Sequence, residues 1–196
     1  YWKAGYNLGV HFIRSEQYER AVRILVRATQ ANDEHVESRY NLAYAYMKAG
    51  SLNKAVTVFE QVLERDSTHS AALYNLGHIA LQRKDYHRAD SCFARVLELE
   101  PRHEKAKFSS ALVLRRTGDY IAAIRGFVRA ATMKGTYPEA WYNAALCYRD
   151  LDRPGAALNM LERALDERSD YTSALLLKAE LLSSADGKES ALALLD

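Results

Sequence analysis

No run of apolar residues in this chain approaches the length that spans a bilayer, so no membrane-inserted segment is expected. Net charge is nearly absent as well: 27 Lys and Arg stand against 25 Asp and Glu, leaving +2. A nucleic-acid binder needs a basic track to follow the phosphates, and this balance gives no sign of one. Cysteine is scarce, with only Cys92 and Cys147. The two fall at different places in the chain's internal order and should lie too far apart to bridge. They read as small buried hydrophobes and favour a reducing compartment such as the cytoplasm. No Cys-x-x-Cys, His-Glu-x-x-His or glycine-rich phosphate loop occurs, so no metal, cofactor or catalytic centre is expected. There is neither an initiator Met nor a signal peptide. The chain therefore reads as a piece of a longer protein, in which missing targeting signals say little about compartment.

What is present is a period. Ala21, Ala55, Ala89, Ala123, Ala157 and Ala191 recur every 34 positions without insertion or deletion. Gly9, Ala43, Gly77, Ala111, Ala145 and Ala179 form a second series twelve residues upstream. Leu25, Phe59, Phe93, Phe127, Leu161 and Leu195 form a third, four residues downstream. A fixed period in this range denotes stacked supersecondary units, each burying its apolar face on its neighbours. The apolar fraction of 48% and charged fraction of 27% fit a folded protein.

The third unit shows the pattern most cleanly. Leu73, Leu76, Gly77 and Ala80 share one face of a helix that runs to about Gln82. Arg83-Lys84-Asp85 makes a turn, and Asp85 can cap the next helix. Ala89, Phe93, Val96 and Leu97 give a second helical stripe, and Pro101 ends the unit. Each unit is thus helix, tight turn, helix. The small residues let the two helices approach, and the large one fills the space beside them.

Small, small and aromatic at these offsets resemble the tetratricopeptide repeat over the whole chain. The segments Leu73-Tyr74-Asn75-Leu76-Gly77 and Trp141-Tyr142-Asn143-Ala144-Ala145 carry the resemblance best. It implies an all-α fold, a right-handed superhelical solenoid of antiparallel helix pairs forming a single domain over 1–196. The units span about 2–35, 36–69, 70–103, 104–137, 138–171 and an incomplete 172–196. The resemblance also implies an interaction scaffold within a larger assembly, whose partner is a protein or peptide and which is not itself an enzyme.

Departures mark particular units. Unit four has Ser110 for a large apolar residue, Gly126 inside a helix and an irregular link, Lys134-Gly135-Thr136-Tyr137-Pro138, and is expected to be the softest. Pro154 opens a second helix harmlessly. Unit six carries Lys188 where other units have Tyr, and its Leu175, Leu182 and Leu194 have no following unit to cover them. Those ends suggest either excision from a longer chain or end-to-end association into a homo-oligomer.

In this family the first helix of each unit lines the concave side. The stripe beside the packing stripe then faces the groove. It reads Tyr6, Asn7, Val10 and Ile13; Tyr40, Asn41, Tyr44 and Met47; Tyr74, Asn75, His78 and Leu81. It continues as Phe108, Ser109, Leu112 and Arg115, then Tyr142, Asn143, Leu146 and Arg149. A wholly solvated stripe carries charges, and this one is mainly aromatic, amide and aliphatic. An asparagine ladder can hold the backbone of an extended peptide, and tyrosines give contact area at low entropy cost. The same Tyr and Asn also serve packing between helices in this family. The groove would be apolar in its first half and cationic at Arg115 and Arg149, with Lys105 nearby. A ligand with apolar residues and then an acid would suit it. The two-Lys, two-Asn, one-Arg clamp with which some members hold chaperone tails is absent, because Tyr or Phe stands where the lysines belong. His35, His69 and His103 recur between units, too far apart for one metal, and read as helix-start residues. Two alternatives stay open. One is a substrate-recruiting arm of a modular enzyme, such as a glycosyltransferase, with catalysis elsewhere. The other is a self-associating scaffold.

Overall fold

Several helix starts are written into the chain at repeated positions. In the computed structural model, the ring Nδ1 of His35, His69 and His103 accepts the backbone N–H of Ser38, Ala72 and Ala106, at 3.1, 3.3 and 3.0 Å. These are N-caps, satisfying donors that a helix leaves open at its start. Asp85 and Asp119 cap second helices in the same way, through Arg88 and Ala122. Pro138 and Pro154 each open a helix, where the missing N–H is harmless.

The structure describes the backbone of residues 1–192 and the side chains of 1–183 other than 134. Among these residues there are eleven helices and no strand. The chain divides into two compact units. The first, Tyr1–Pro101, holds α1 (Trp2–Arg14), α2 (Tyr18–Ala31), α3 (Val36–Lys48), α4 (Leu52–Arg65), α5 (Ser70–Gln82) and α6 (Tyr86–Leu99). The second, Arg102–Asp196, holds α7 (Glu104–Thr117), α8 (Tyr120–Lys134), α9 (Pro138–Asp150), α10 (Pro154–Glu167) and α11 (Thr172–Leu192).

Each helix pair is joined by a turn with one left-handed residue. Glu16, Gly50, Lys84, Gly118 and Asp152 all have positive φ, between 54° and 89°, and they too are spaced by 34. The three repeat series become the core. Leu25, Phe59, Phe93, Phe127 and Leu161 are fully buried, as are Ala21, Ala55, Ala89, Ala123 and Ala157. A Cβ added to Gly77 would sit 2.7 Å from the Phe93 ring, so that glycine is what lets α5 meet α6. Cys147 is buried, and desolvation pushes its thiol up to about 11; both cysteines are free.

Gly126 has a packing role: a Cβ added there would stand 2.8 Å from the Ala111 methyl. The glycine is a contact point between α7 and α8. The sixth unit shows no turn: α11 runs as one helix through Asp186 and Gly187, where the period predicts one. Among the described residues no second helix therefore folds back on the first half of α11. Ala179, the sixth member of a series otherwise buried, is exposed there. The side chains of Lys188, Ala191, Leu194 and Leu195 lie outside the described residues.

Candidate interaction face

The first helices carry the stripe read from the sequence, and much of it is held by neighbours. In the first unit, the Tyr6 ring meets His35 edge-on at 5.0 Å, with Trp2 on the same imidazole at 4.5 Å. Tyr40 stacks on His69 at 4.8 Å and leans on Phe59 at 5.9 Å. In the second unit, Phe108 packs on Tyr137 at 4.9 Å and Tyr142 on Tyr171 at 5.3 Å. Each aromatic thus touches the residue 29 positions later, at or beside the start of the next first helix. Both positions were visible in the sequence as periodic series. Their pairing was not, because 29 is neither a helical spacing nor the repeat itself.

Burial sorts the rest of the stripe. Asn7 is exposed, and Val10, Asn41, Tyr44 and Met47 are half-buried. Asn41 donates to the Glu37 carbonyl at 2.9 Å, and Asn143 does the same to Glu139 at 2.8 Å. Asn41 keeps its amide oxygen and a second N–H. Asn75 departs from the ladder. It is only 9% exposed and donates to the Tyr40 hydroxyl at 3.3 Å, so its amide links α5 to α3. Burial raises the Tyr40 hydroxyl pKa, against the pull of that hydrogen bond. Ser109 is fully buried and also leaves the groove. Tyr74 and His78 meet at 4.6 Å and both pack on Phe93.

The cationic end is not two free arginines. Arg149 donates twice to Asp150 Oδ1, at 2.9 and 3.2 Å, and Arg115 approaches Oδ2 of the same carboxylate at 3.7 Å. Arg115 also donates to Asn143 Oδ1 at 3.4 Å, bridging α7 and α9. One acid between two guanidiniums leaves a residual single positive charge, and the arginines are already oriented by it. Leu112 and Leu146 lie half-buried beside them, and Lys105 is exposed. Behind this face Glu167 accepts the Tyr137 N–H at 2.5 Å and the Trp141 indole N–H at 2.6 Å, anchoring the start of α9. Among the described residues no cluster of three His, Cys, Asp or Glu could hold a metal, and no helix is long and apolar enough to cross a membrane.

A scan against family models finds the tetratricopeptide repeat at residues 6–70 and 42–89. A second model, anaphase-promoting complex (cyclosome) subunit 3, matches residues 83–164. The chain belongs to the tetratricopeptide repeat family. Among solved structures it is similar to YrrB, described as a tetratricopeptide repeat protein with an unusual peptide-binding site. That match has 22% identity over 89% of this chain and 90% of that one, with a TM-score of 0.76. It is also similar to MamA from Desulfovibrio magneticus RS-1, at 22% identity over 87% and 97% of the two chains and a TM-score of 0.81. A further MamA structure matches at 20% identity over 87% and 93%, with a TM-score of 0.78. No curated protein matches the sequence.

Proposed function

We propose that this chain is a protein-interaction scaffold that holds an extended peptide, or an extended segment of a partner subunit, along its first-helix faces. The observation that carries this reading is the uncharged, partly open stripe Tyr6, Asn7, Val10, Asn41, Tyr44 and Met47 on α1 and α3. The rings of Tyr6 and Tyr40 are fixed on cap histidines before any ligand arrives, which lowers the entropy lost on binding. Asn7 and Asn41 keep amide groups suited to a peptide backbone. YrrB's description as a peptide binder supports the reading by likeness of fold. Taken by itself, the second unit's Arg115–Asp150–Arg149 cluster would accept an acidic group of a segment bound there. The reading contains no catalytic step.

Selection of peptides from a random display library against the wild-type chain supplies the probe. Asn7→Ala, Asn41→Ala and Tyr44→Ala combined avoid the rings that hold the fold. They should raise the Kd of a selected peptide about tenfold or more while the melting curve stays within a few degrees. Equal affinity in the folded variant would refute the first-helix face as the site. A second reading, association between copies, is favoured by the exposed Leu175, Leu176 and Leu182 of α11. Light-scattering mass that grows with concentration would support it, and constant mass would exclude it.

A further inference from the structure

The net charge of +2 conceals an uneven distribution. Residues 104–137 contain seven Lys and Arg and only two acids, Glu104 and Asp119, whereas 138–171 contain four Lys and Arg against seven acids. Asp119 is the N-cap of α8 and Glu104 lies in the first turn of α7, so both serve helix starts. The helix α8 has no acidic residue at all. Its exposed residues include Arg125 and Arg129, one turn apart, with Ile121 49% and Met133 38% exposed on the same helix. Lys107 of α7 reaches the Met133 sulfur at 3.1 Å and so joins this surface. Partial desolvation and the charges of Arg129 and Arg102 hold its amine below the usual lysine range. Among the described residues, the ion pairs of the second unit engage Arg115, Arg149, Arg168 and Lys178, and none engages Arg102, Lys107, Arg125 or Arg129. Unneutralised like charges held this close destabilise the free protein, and a partner's acids would relieve them.

We propose that the outer face of α8, with Lys107 and Arg102 beside it, is a second docking surface that takes an acidic protein segment interspersed with apolar side chains. Charge complementarity selects the acids, and Ile121 and Met133 supply apolar contact on either side of Arg125 and Arg129. A nucleic acid fits less well. No aromatic ring is exposed among these cations to stack a base, and the next, acid-rich repeat of the same unit repels a polyanion. The surface belongs to a second helix, so it is separate from the first-helix stripe and independent of the reading given for that stripe.

The test is fluorescence anisotropy with a short labelled peptide of alternating glutamates and leucines, its glutamine counterpart and a single-stranded RNA of equal length. The glutamate peptide should bind best and weaken as salt is raised. Arg125→Glu combined with Arg129→Glu should weaken it about tenfold or more. Both side chains are exposed and their repulsion is relieved, so the variant should melt no lower than wild type, and the Asn7, Asn41 and Tyr44 variant should bind the peptide normally. Equal binding of the glutamine peptide, or undiminished binding to the reversed-charge protein, overturns the proposal. RNA bound more tightly than the glutamate peptide, and lost on charge reversal, overturns it in favour of a nucleic-acid surface.

Discussion

Five left-handed turn residues at one repeat position give the sharpest comparison of single residues in this chain. Gly50 and Gly118 adopt φ of 78° and 89° with open space where a Cβ would go, so any substitution there costs backbone strain alone. Gly118→Ala should lower stability by about 1 kcal/mol, the ordinary cost of a left-handed alanine. Lys84, at φ 63°, already bears that cost, and Lys84→Gly should raise stability by about 0.5 kcal/mol after the glycine's larger chain entropy is subtracted. Urea unfolding of the two variants checks both signs, and a stabilised Gly118→Ala would show that the turn is set by something other than φ. At this scale the candidate site was only partly legible. Tyr40 and Asn75 were readable as stripe residues from helical spacing, yet their hydrogen bond crosses 35 positions and could not be read from it. Arg115 and Arg149 were readable as cations. That Asp150 sits between them depends on the approach of α7 to α9, which spacing along one helix does not encode.

Much of the helical layout was legible, because the core series and several cap positions recur in phase. Asp85 as a cap, Pro154 at a helix start and α5 ending at Gln82 all arise from local residue chemistry. The exception is α11, where the 34-residue period puts the turn position at Asp186 and the backbone stays helical. A turn is enforced only when the following helix packs back, and a glycine inside a helix costs only about 1 kcal/mol. The consequence is a helix with one covered side. Leu177 is 4% exposed while its neighbour Leu176 is 67% exposed. Leu177→Lys should therefore cost about 3 kcal/mol, for lost apolar burial and a desolvated amine. Leu176→Lys should stay within about 0.5 kcal/mol of wild type. Thermal melts of the two single variants decide it. Equal losses would mean that another surface covers Leu176 in solution.

At the scale of the molecule, most helix contacts in the second unit are made between chain neighbours, α9 with α10, α10 with α11, α7 with α8 and α8 with α9, with a smaller contact between α7 and α9. No element there closes a long loop onto a distant one, so stability is a sum of local packing and nearest-neighbour contacts. The same arithmetic lets one repeat carry an excess of cations without disturbing the others, since its charge is felt mainly within a Debye length. A core deletion should then be read locally. Leu161, fully buried in α10, contributes to the cluster with Trp141, Ala145, Ala174 and Leu177. Leu161→Ala should cost roughly 2–5 kcal/mol from lost burial and the cavity left behind. Hydrogen exchange under native conditions should quicken most in α9, α10 and α11. The amides of α7, one contact layer further away, should change less. A uniform rise across α7 to α11 would show instead that the second unit opens all at once, and that its repeats, however alike in sequence, fold as a single cooperative body.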